Sequence, residues 1–258
     1  MPSLMLALVL ALVLPLQSAD LAPSGTLRAS FIENNPNQAR VDPKTNAITG
    51  PAADLVRELA RRLGVKYEIT PLPSAGAVLE SVRSGKVDIG FLAYEAARAT
   101  QVDYSDDYSI TGSAFAVRAD SGIKRTADVD RAGVTVVAIQ GQSPEVYLRE
   151  TLKAARLNSL PMAPPNAELA KILLGGQADA VGANRTRMEE LVREFPKLRV
   201  LPDDFTHTTQ AIVLAKGKRS QLAYVNTFLA DVRASGFVKA SLERAKLVGV
   251  DVAPPTKR

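Results

Sequence analysis

The 258-residue sequence predicts an α/β protein built as two similar lobes joined by extended crossings. Three observations carry that reading. Amphipathic helices alternate with short apolar strands, the pattern of a parallel sheet. The alternation occurs twice, at an offset of 91 residues. Two long extended runs follow the two repeats, which suits hinge strands between lobes.

Composition narrows the function classes. Apolar residues make up 46% and charged residues 23%, which excludes a disordered, collagenous or coiled-coil chain. Cysteine is absent, so disulfides, zinc fingers, iron–sulfur clusters and thiol catalysis are excluded. The single histidine, His207, argues against a His-rich metal site and a Ser–His–Asp triad, and reads as a surface or hinge residue. The net charge of +5 is scattered and tryptophan is absent, so it reads as a solvated surface and no nucleic-acid partner is expected. No cofactor or metal is expected.

Residues 1–19 carry no charged side chain, and Leu4–Leu14 is an unbroken apolar run followed by Pro15, Ser18 and Ala19. The run is shorter than the ~20 residues a membrane span needs, and fits the core of a secretory signal peptide cut between Ser18 and Ala22. The other reading is a buried N-terminal helix. With no cysteine, no lipid anchor on a mature N-terminal cysteine is expected. The mature chain is expected to be soluble, not membrane-inserted, and periplasmic in a bacterium with two membranes.

In the first repeat, Gly50 can cap and Pro51 suits the first helical position. Ala52, Leu55, Val56, Leu59, Ala60 and Leu63 then fall on one helical face, and Gly64 stops the helix. Residues 65–70 alternate as a strand. Ser74–Ser84 is a second helix with Val78, Leu79 and Val82 inward, and 87–91 is a buried strand.

The second repeat begins with the strand 134–140. The turn Gly141-Gln142-Ser143-Pro144 leads into a helix over 145–155. Asn166 can cap a helix ended by Gly175 and Gly176, and the strand 178–183 follows. Gly50 to Asp88 and Gly141 to Asp179 are equal spans, and Pro73 and Gly85 fall on Pro164 and Gly176. Low residue identity between the repeats implies that their chemistry has diverged.

Residues 109–120 and 206–217 are the extended crossings. Leu222, Val225, Leu229 and Val232 mark a long helix stopped by Gly236, and a shorter helix over 237–247 follows. The expected organisation is therefore a signal peptide over 1–19, a first lobe over 25–110 and 212–247, a second lobe over 118–206, and a frayed tail over 248–258.

The segments GPAADLVRELARRLGV, SGKVDIGF and ARATQVDYSDDYS resemble the family 3 extracellular solute-binding proteins, the polar-amino-acid receptors of ABC importers. The resemblance covers about residues 25–247, and its most specific run is Arg98-Ala99-Thr100-Gln101-Val102-Asp103-Tyr104-Ser105. It implies a two-lobed type II periplasmic-binding-protein fold, two hinge strands and a ligand in the interlobe cleft, with hinge closure around it.

The resemblance places Arg98 where the family grips a ligand carboxylate, a role its guanidinium fork suits; the other reading is an ion pair with Asp103 or Asp106. Gly141, Gln142 and Ser143 fall on the turn whose amides face an anion at a helix start, and Ser143 can also cap that helix. Ala93 replaces a hydroxyl-bearing residue, and Asn184 stands where an Asp usually receives the ligand ammonium. Ala52 replaces another Asp, and Ala75 stands near a common Trp. Glu33-Asn34-Asn35-Pro36-Asn37 replaces an aromatic element, which makes Asn35 a candidate contact. Tyr94, after the strand that ends at the cleft, is another. The carboxylate hook survives while the ammonium socket weakens. Either Glu33 or Glu95 supplies the missing carboxylate, or the ligand lacks an ammonium.

The leading expectation is a non-enzymatic, monomeric receptor that passes a small carboxylate, an amino acid or related acid, to the membrane permease of an ABC importer. The alternatives are an enzyme of the cyclohexadienyl dehydratase type, with Glu33 or Glu95 as acid, and a sensory accessory protein acting in trans.

Overall fold

The computed structural model describes residues 21–33 and 35–256; the expected signal peptide falls outside them. The chain runs β1 (Thr26–Ile32), β2 (Arg40–Val41), β3 (Ile48–Thr49), α1 (Pro51–Leu63), β4 (Lys66–Leu72), α2 (Ala75–Arg83), β5 (Ile89–Ala93), α3 (Ala96–Ala99) and β6 (Val102–Arg118). It continues with β7 (Thr135–Ile139), α4 (Ser143–Thr151), β8 (Arg156–Leu160), α5 (Asn166–Leu174), β9 (Ala180–Asn184), α6 (Arg185–Glu194) and β10 (Leu198–Val200). β11 (Thr206–Ala215), α7 (Arg219–Ala234), α8 (Phe237–Arg244) and β12 (Val250–Val252) complete it.

The strand order is β4-β1-β5-β11-β6-β9-β7-β8. β1 pairs in parallel with β4 and β5, and β7 in parallel with β8 and β9. The ladder is continuous because β6 serves both ends. Its residues 102–113 pair with β11, and residues 113–117 with β9. The apolar cores remain separate. Leu27, Phe31, Leu55, Leu59, Phe91, Phe228 and Leu229 pack at one end. Phe115, Val136 and Leu148 form one cluster at the other, and Val137, Leu169 and Leu191 a second. The fold is thus two-lobed α/β, and α7 and α8 return to the first core.

The repeat holds at the level of elements. α2 and α5 are offset by 91 residues, and so are β5 and β9. α1 follows its apolar periodicity, with Ala52, Leu55, Val56, Leu59 and Ala60 buried. Its cap, Gly50, has φ +120°, and a Cβ there would lie 3.0 Å from the Ala39 Cα, so only glycine suits the turn.

Four local expectations are corrected. The helix expected over 145–155 spans Ser143–Thr151, because Leu152 turns extended and the Asp130 carboxylate captures the amides of Lys153, Ala154 and Ala155. The chain released there forms β8, a strand the sequence pattern did not reveal. Asn166 does not cap α5; Pro165 holds that position and Asn166 Nδ2 donates to Glu194 Oε1 at 3.0 Å. Nor does Ser143 cap α4, whose cap position is Gln142.

The fourth concerns the tail. β12 pairs with residues 109–111 of β6, Ala253 N–H donates to the Tyr108 carbonyl, and Asp107 N–H donates to Thr256 Oγ1 at 2.8 Å. Residues 250–256 are docked rather than frayed, because Val250 and Ala253 are buried.

Candidate functional site

The site lies where β5 and α3 of the first lobe face the start of α4 and the end of β9. A small space of about 10 Å³ sits there, room for about one water. Arg98, Gln142, Ser143, Asn184, Asn35 and Ala93 line it, together with Gln38 and Gln210. The structure therefore gathers six of the eight sequence-derived candidates around one space.

Arg98 projects from α3 and is half-buried. Its Nη1 donates to the Ala93 carbonyl at 3.1 Å, and its Nη2 donates to the Gly141 carbonyl of the facing lobe. The expected alternative, an ion pair with Asp103, is not formed: Asp103 pairs with Lys216 at 3.0 Å. Among the described residues no carboxylate lies within ion-pair distance of Arg98. Its charge thus faces the Ala93 and Gly141 carbonyls and the Tyr104 hydroxyl.

Gly141 enters in a different role from the expected one. Its amide donates to Glu145 Oε2 at 3.0 Å, and the Gln142 amide donates to the Ile139 carbonyl. Those two donors are used internally, and the glycine contributes its carbonyl instead. Glu145 braces the turn from within, since its buried carboxylate also accepts from Ser159 Oγ at 2.8 Å. The Ser143 hydroxyl is buried at the start of α4 and has no hydrogen-bond partner. An unsatisfied buried hydroxyl costs about 1–3 kcal/mol.

Asn184 closes β9, and its Nδ2 donates to Asn35 Oδ1 at 3.3 Å across the cleft. Both side chains are buried. Gln38 and Gln210, missed from the sequence, extend this amide lining. Gln38 Oε1 accepts from the Ile32 amide at 2.8 Å, and its Nε2 donates to Gln210 Oε1 at 3.1 Å. The available signal was Gln210 itself, a long amide within the apolar half of a strand.

Tyr94 and the two glutamates lie elsewhere. The Tyr94 ring packs edge-on against Tyr104 at 5.2 Å and does not line the space. Tyr104 donates its hydroxyl to the Ala93 carbonyl at 3.0 Å, and burial pushes that phenol up, so it remains protonated. Neither Glu33 nor Glu95 lines the space, which holds no acidic side chain. His207 is exposed, with Nε2 3.4 Å from Asp204. Among the described residues there is no group of acids and histidines arranged to hold a metal, and no helix long and apolar enough to cross a membrane.

This geometry sits within a match over residues 28–245 to the bacterial extracellular solute-binding proteins, family 3. The chain belongs to that family. It is 27% identical over 209 residues to the L-cystine-binding protein TcyJ of Escherichia coli (strain K12), covering 80% of this chain and 76% of that one. It is also 27% identical over 180 residues to the glutamine-binding protein of Geobacillus stearothermophilus, covering 68% and 67%. Among solved structures, the ancestral amino acid-binding protein AncCDT-1, a precursor of cyclohexadienyl dehydratase, matches with a TM-score of 0.75 at 27% identity, covering 88% of this chain and 98% of that one. The Neisseria gonorrhoeae solute receptor for L-cysteine matches with a TM-score of 0.77 at 22% identity, covering 88% and 92%, and shows the shared fold.

Proposed function

We propose that this family member is the periplasmic substrate-binding component of an ABC importer for a small carboxylate-bearing solute, an amino acid or a related organic acid. One observation carries the reading. Arg98, without a carboxylate partner, meets the buried and unpartnered Ser143 hydroxyl at one space between the lobes. A ligand carboxylate would replace the Gly141 carbonyl on the guanidinium and accept from the serine, converting dipole contacts into a charge-assisted fork. The moving bodies are residues 25–110 with 212–247, and residues 118–206, with β6 and β11 as the crossings; the separate apolar cores support this division. The mature chain acts as an exported monomer with a membrane permease as partner.

Ligand class follows from the lining. Asn35, Asn184, Gln38 and Gln210 offer amides, and none carries the negative charge that would neutralise a buried ammonium. The α-ammonium of an amino acid is therefore recognised weakly. The same lack of an acid speaks against a dehydratase, which needs a proton donor beside its substrate. A thermal-shift screen of amino acids, hydroxy acids, keto acids and dicarboxylates tests the reading. Ligand at 100 times its Kd raises stability by about 2.7 kcal/mol. No shift with any carboxylate would overturn it.

A further inference from the structure

Two amides of the small space take their polarity from the backbone. Gln38 stands between two backbone groups of opposite kind: its Oε1 accepts from the Ile32 amide at 2.8 Å, and its Nε2 donates to the Phe91 carbonyl at 3.1 Å. Reversing the amide would set nitrogen against an N–H and oxygen against a C=O, so only one orientation fits. The second proton on Nε2 goes to Gln210 Oε1 at 3.1 Å. Gln210 is thereby fixed in turn, because a reversed Gln210 would meet Gln38 donor to donor.

The result is a directed donor. Gln210 is 2% exposed and lines the small space. With Oε1 turned back to Gln38, Nε2 is the polar atom left to it, and among the described residues neither Nε2 proton meets an acceptor. A buried donor without an acceptor is costly, and a ligand oxygen relieves that cost. The sheet sets its position. Gln210 of β11 lies directly opposite Ala93 of β5, so the two side chains share a face. The Ala93 methyl offers the amide no partner, while the Ala93 carbonyl accepts from Arg98 Nη1. The amide donor therefore stands one strand away from the atoms that hold the guanidinium.

We infer that Gln210 Nε2 donates to an oxygen on the carbon next to the ligand carboxylate, so that the solute is a 2-oxo or 2-hydroxy acid rather than a 2-amino acid, with Gln38 as the residue that positions the donor. The inference rests on the carboxylate-receptor reading and narrows its ligand class. A carbonyl or hydroxyl oxygen has a lone pair for Nε2. An ammonium has three donors and no lone pair, and would meet both the amide and the guanidinium with like polarity.

Titration calorimetry on the full mature chain tests it with pyruvate, lactate, alanine and propanoate, which differ only in what C2 carries. The four counterparts built on 4-methylpentanoate repeat the comparison with a larger side chain. Pyruvate and lactate should each bind at least about fivefold tighter than propanoate, and alanine no tighter than propanoate. The order of pyruvate and lactate tells a carbonyl ligand from a hydroxyl one. Gln210→Met keeps the length of the side chain without the donor, and should bring the pyruvate-to-propanoate and lactate-to-propanoate affinity ratios to about one. Gln38→Met frees Gln210 to turn either way, and should shrink the preference for pyruvate over alanine, a readout that loss of a merely structural brace would not move. If either variant fails to fold, the wild-type order decides. Alanine tighter than both pyruvate and lactate in the wild type would overturn the inference, as would unchanged ratios in a folded Gln210→Met. Acids that bind through Arg98 with no gain from a C2 oxygen would remove it and leave the carboxylate-receptor reading standing. Failure of every acid in both series would remove both.

Discussion

Arg98 and Gly141 lie 43 residues apart and meet across the cleft, the guanidinium donating to the glycine carbonyl. The contact puts the one cation of the small space on a protein dipole. On the proposed function, a ligand carboxylate would compete with that carbonyl, and a full negative charge would win because charge-assisted hydrogen bonds are roughly twice as strong as neutral ones.

Arg98→Ala should therefore fold normally, since the side chain is half-buried on a single-turn helix, and should lose carboxylate binding. The expected cost is about 2–5 kcal/mol, or roughly 30- to several-thousand-fold in Kd. Arg98→Lys should recover part of it, because an ammonium is a point charge rather than a fork. Calorimetry that gives the same Kd for Arg98→Ala and wild type would place the carboxylate elsewhere.

Ser143 makes a separable prediction. Its hydroxyl is buried without a partner, so Ser143→Ala should leave the unliganded melting temperature unchanged or slightly higher. The same change should weaken a carboxylate ligand by about 1 kcal/mol, roughly fivefold. A drop in unliganded stability together with unchanged affinity would make Ser143 a structural residue.

How much of this was legible in the sequence follows from the kind of signal each part carries. The face of α1 and the correspondence of β5 with β9 across the repeat were readable because apolar spacing is a local property. That Arg98, Ser143 and Asn184 lie around one space was readable through family motifs. What escaped depends on distant partners. Asp130 ends α4 through the amides of residues 153–155, and β8 appears only because of it. Gln38 and Gln210 read as solvated until they meet each other and the Phe91 carbonyl. Tyr94 has the right position along the chain, but its ring turns to Tyr104. Arg187 looks like one more surface arginine until α6 buries it.

The docked tail can be removed. Truncation after residue 248 deletes β12 and exposes the β6 edge that it covers, with loss of the buried Val250 and Ala253. The lost apolar burial and ladder hydrogen bonds should lower stability by about 2–4 kcal/mol, seen as a lower urea midpoint. An unchanged midpoint would return the tail to the frayed state.

Acid stability should report Glu58. Hydrogen bonds from Arg61 and then Arg62 hold its carboxyl down at about 2, below its ordinary value of 4.5. Its pairing therefore stabilises the fold above pH 4.5, and the contribution fades as pH falls toward 2. Because Arg61 is exposed, the effect is small, about 0.5–1 kcal/mol. Glu58→Gln should be less stable than wild type at pH 7, with the gap closing near pH 2. A gap that persists in acid would point to packing rather than charge.

Asn184 decides whether the ligand ammonium matters. It faces Asn35, and no acid lines the space around them. An amino acid should then bind no more than about tenfold tighter than its hydroxy- or keto-acid counterpart, a difference of about 1.4 kcal/mol. A larger preference for the amino acid would reveal an ammonium socket. Asn184→Asp gives the reciprocal check. The Asn35 side chain must then turn its amide nitrogen toward the new carboxylate, giving up the acceptor that now serves the Asn37 amide at 3.3 Å. That rearrangement costs some stability but installs the missing negative charge. The variant should gain affinity for the amino acid and lose it for the bare acid, because a fixed carboxylate attracts the ammonium and repels an anion without one. The two ligands must be titrated side by side on one preparation, since a folding defect would weaken both and only a charge effect moves them in opposite directions.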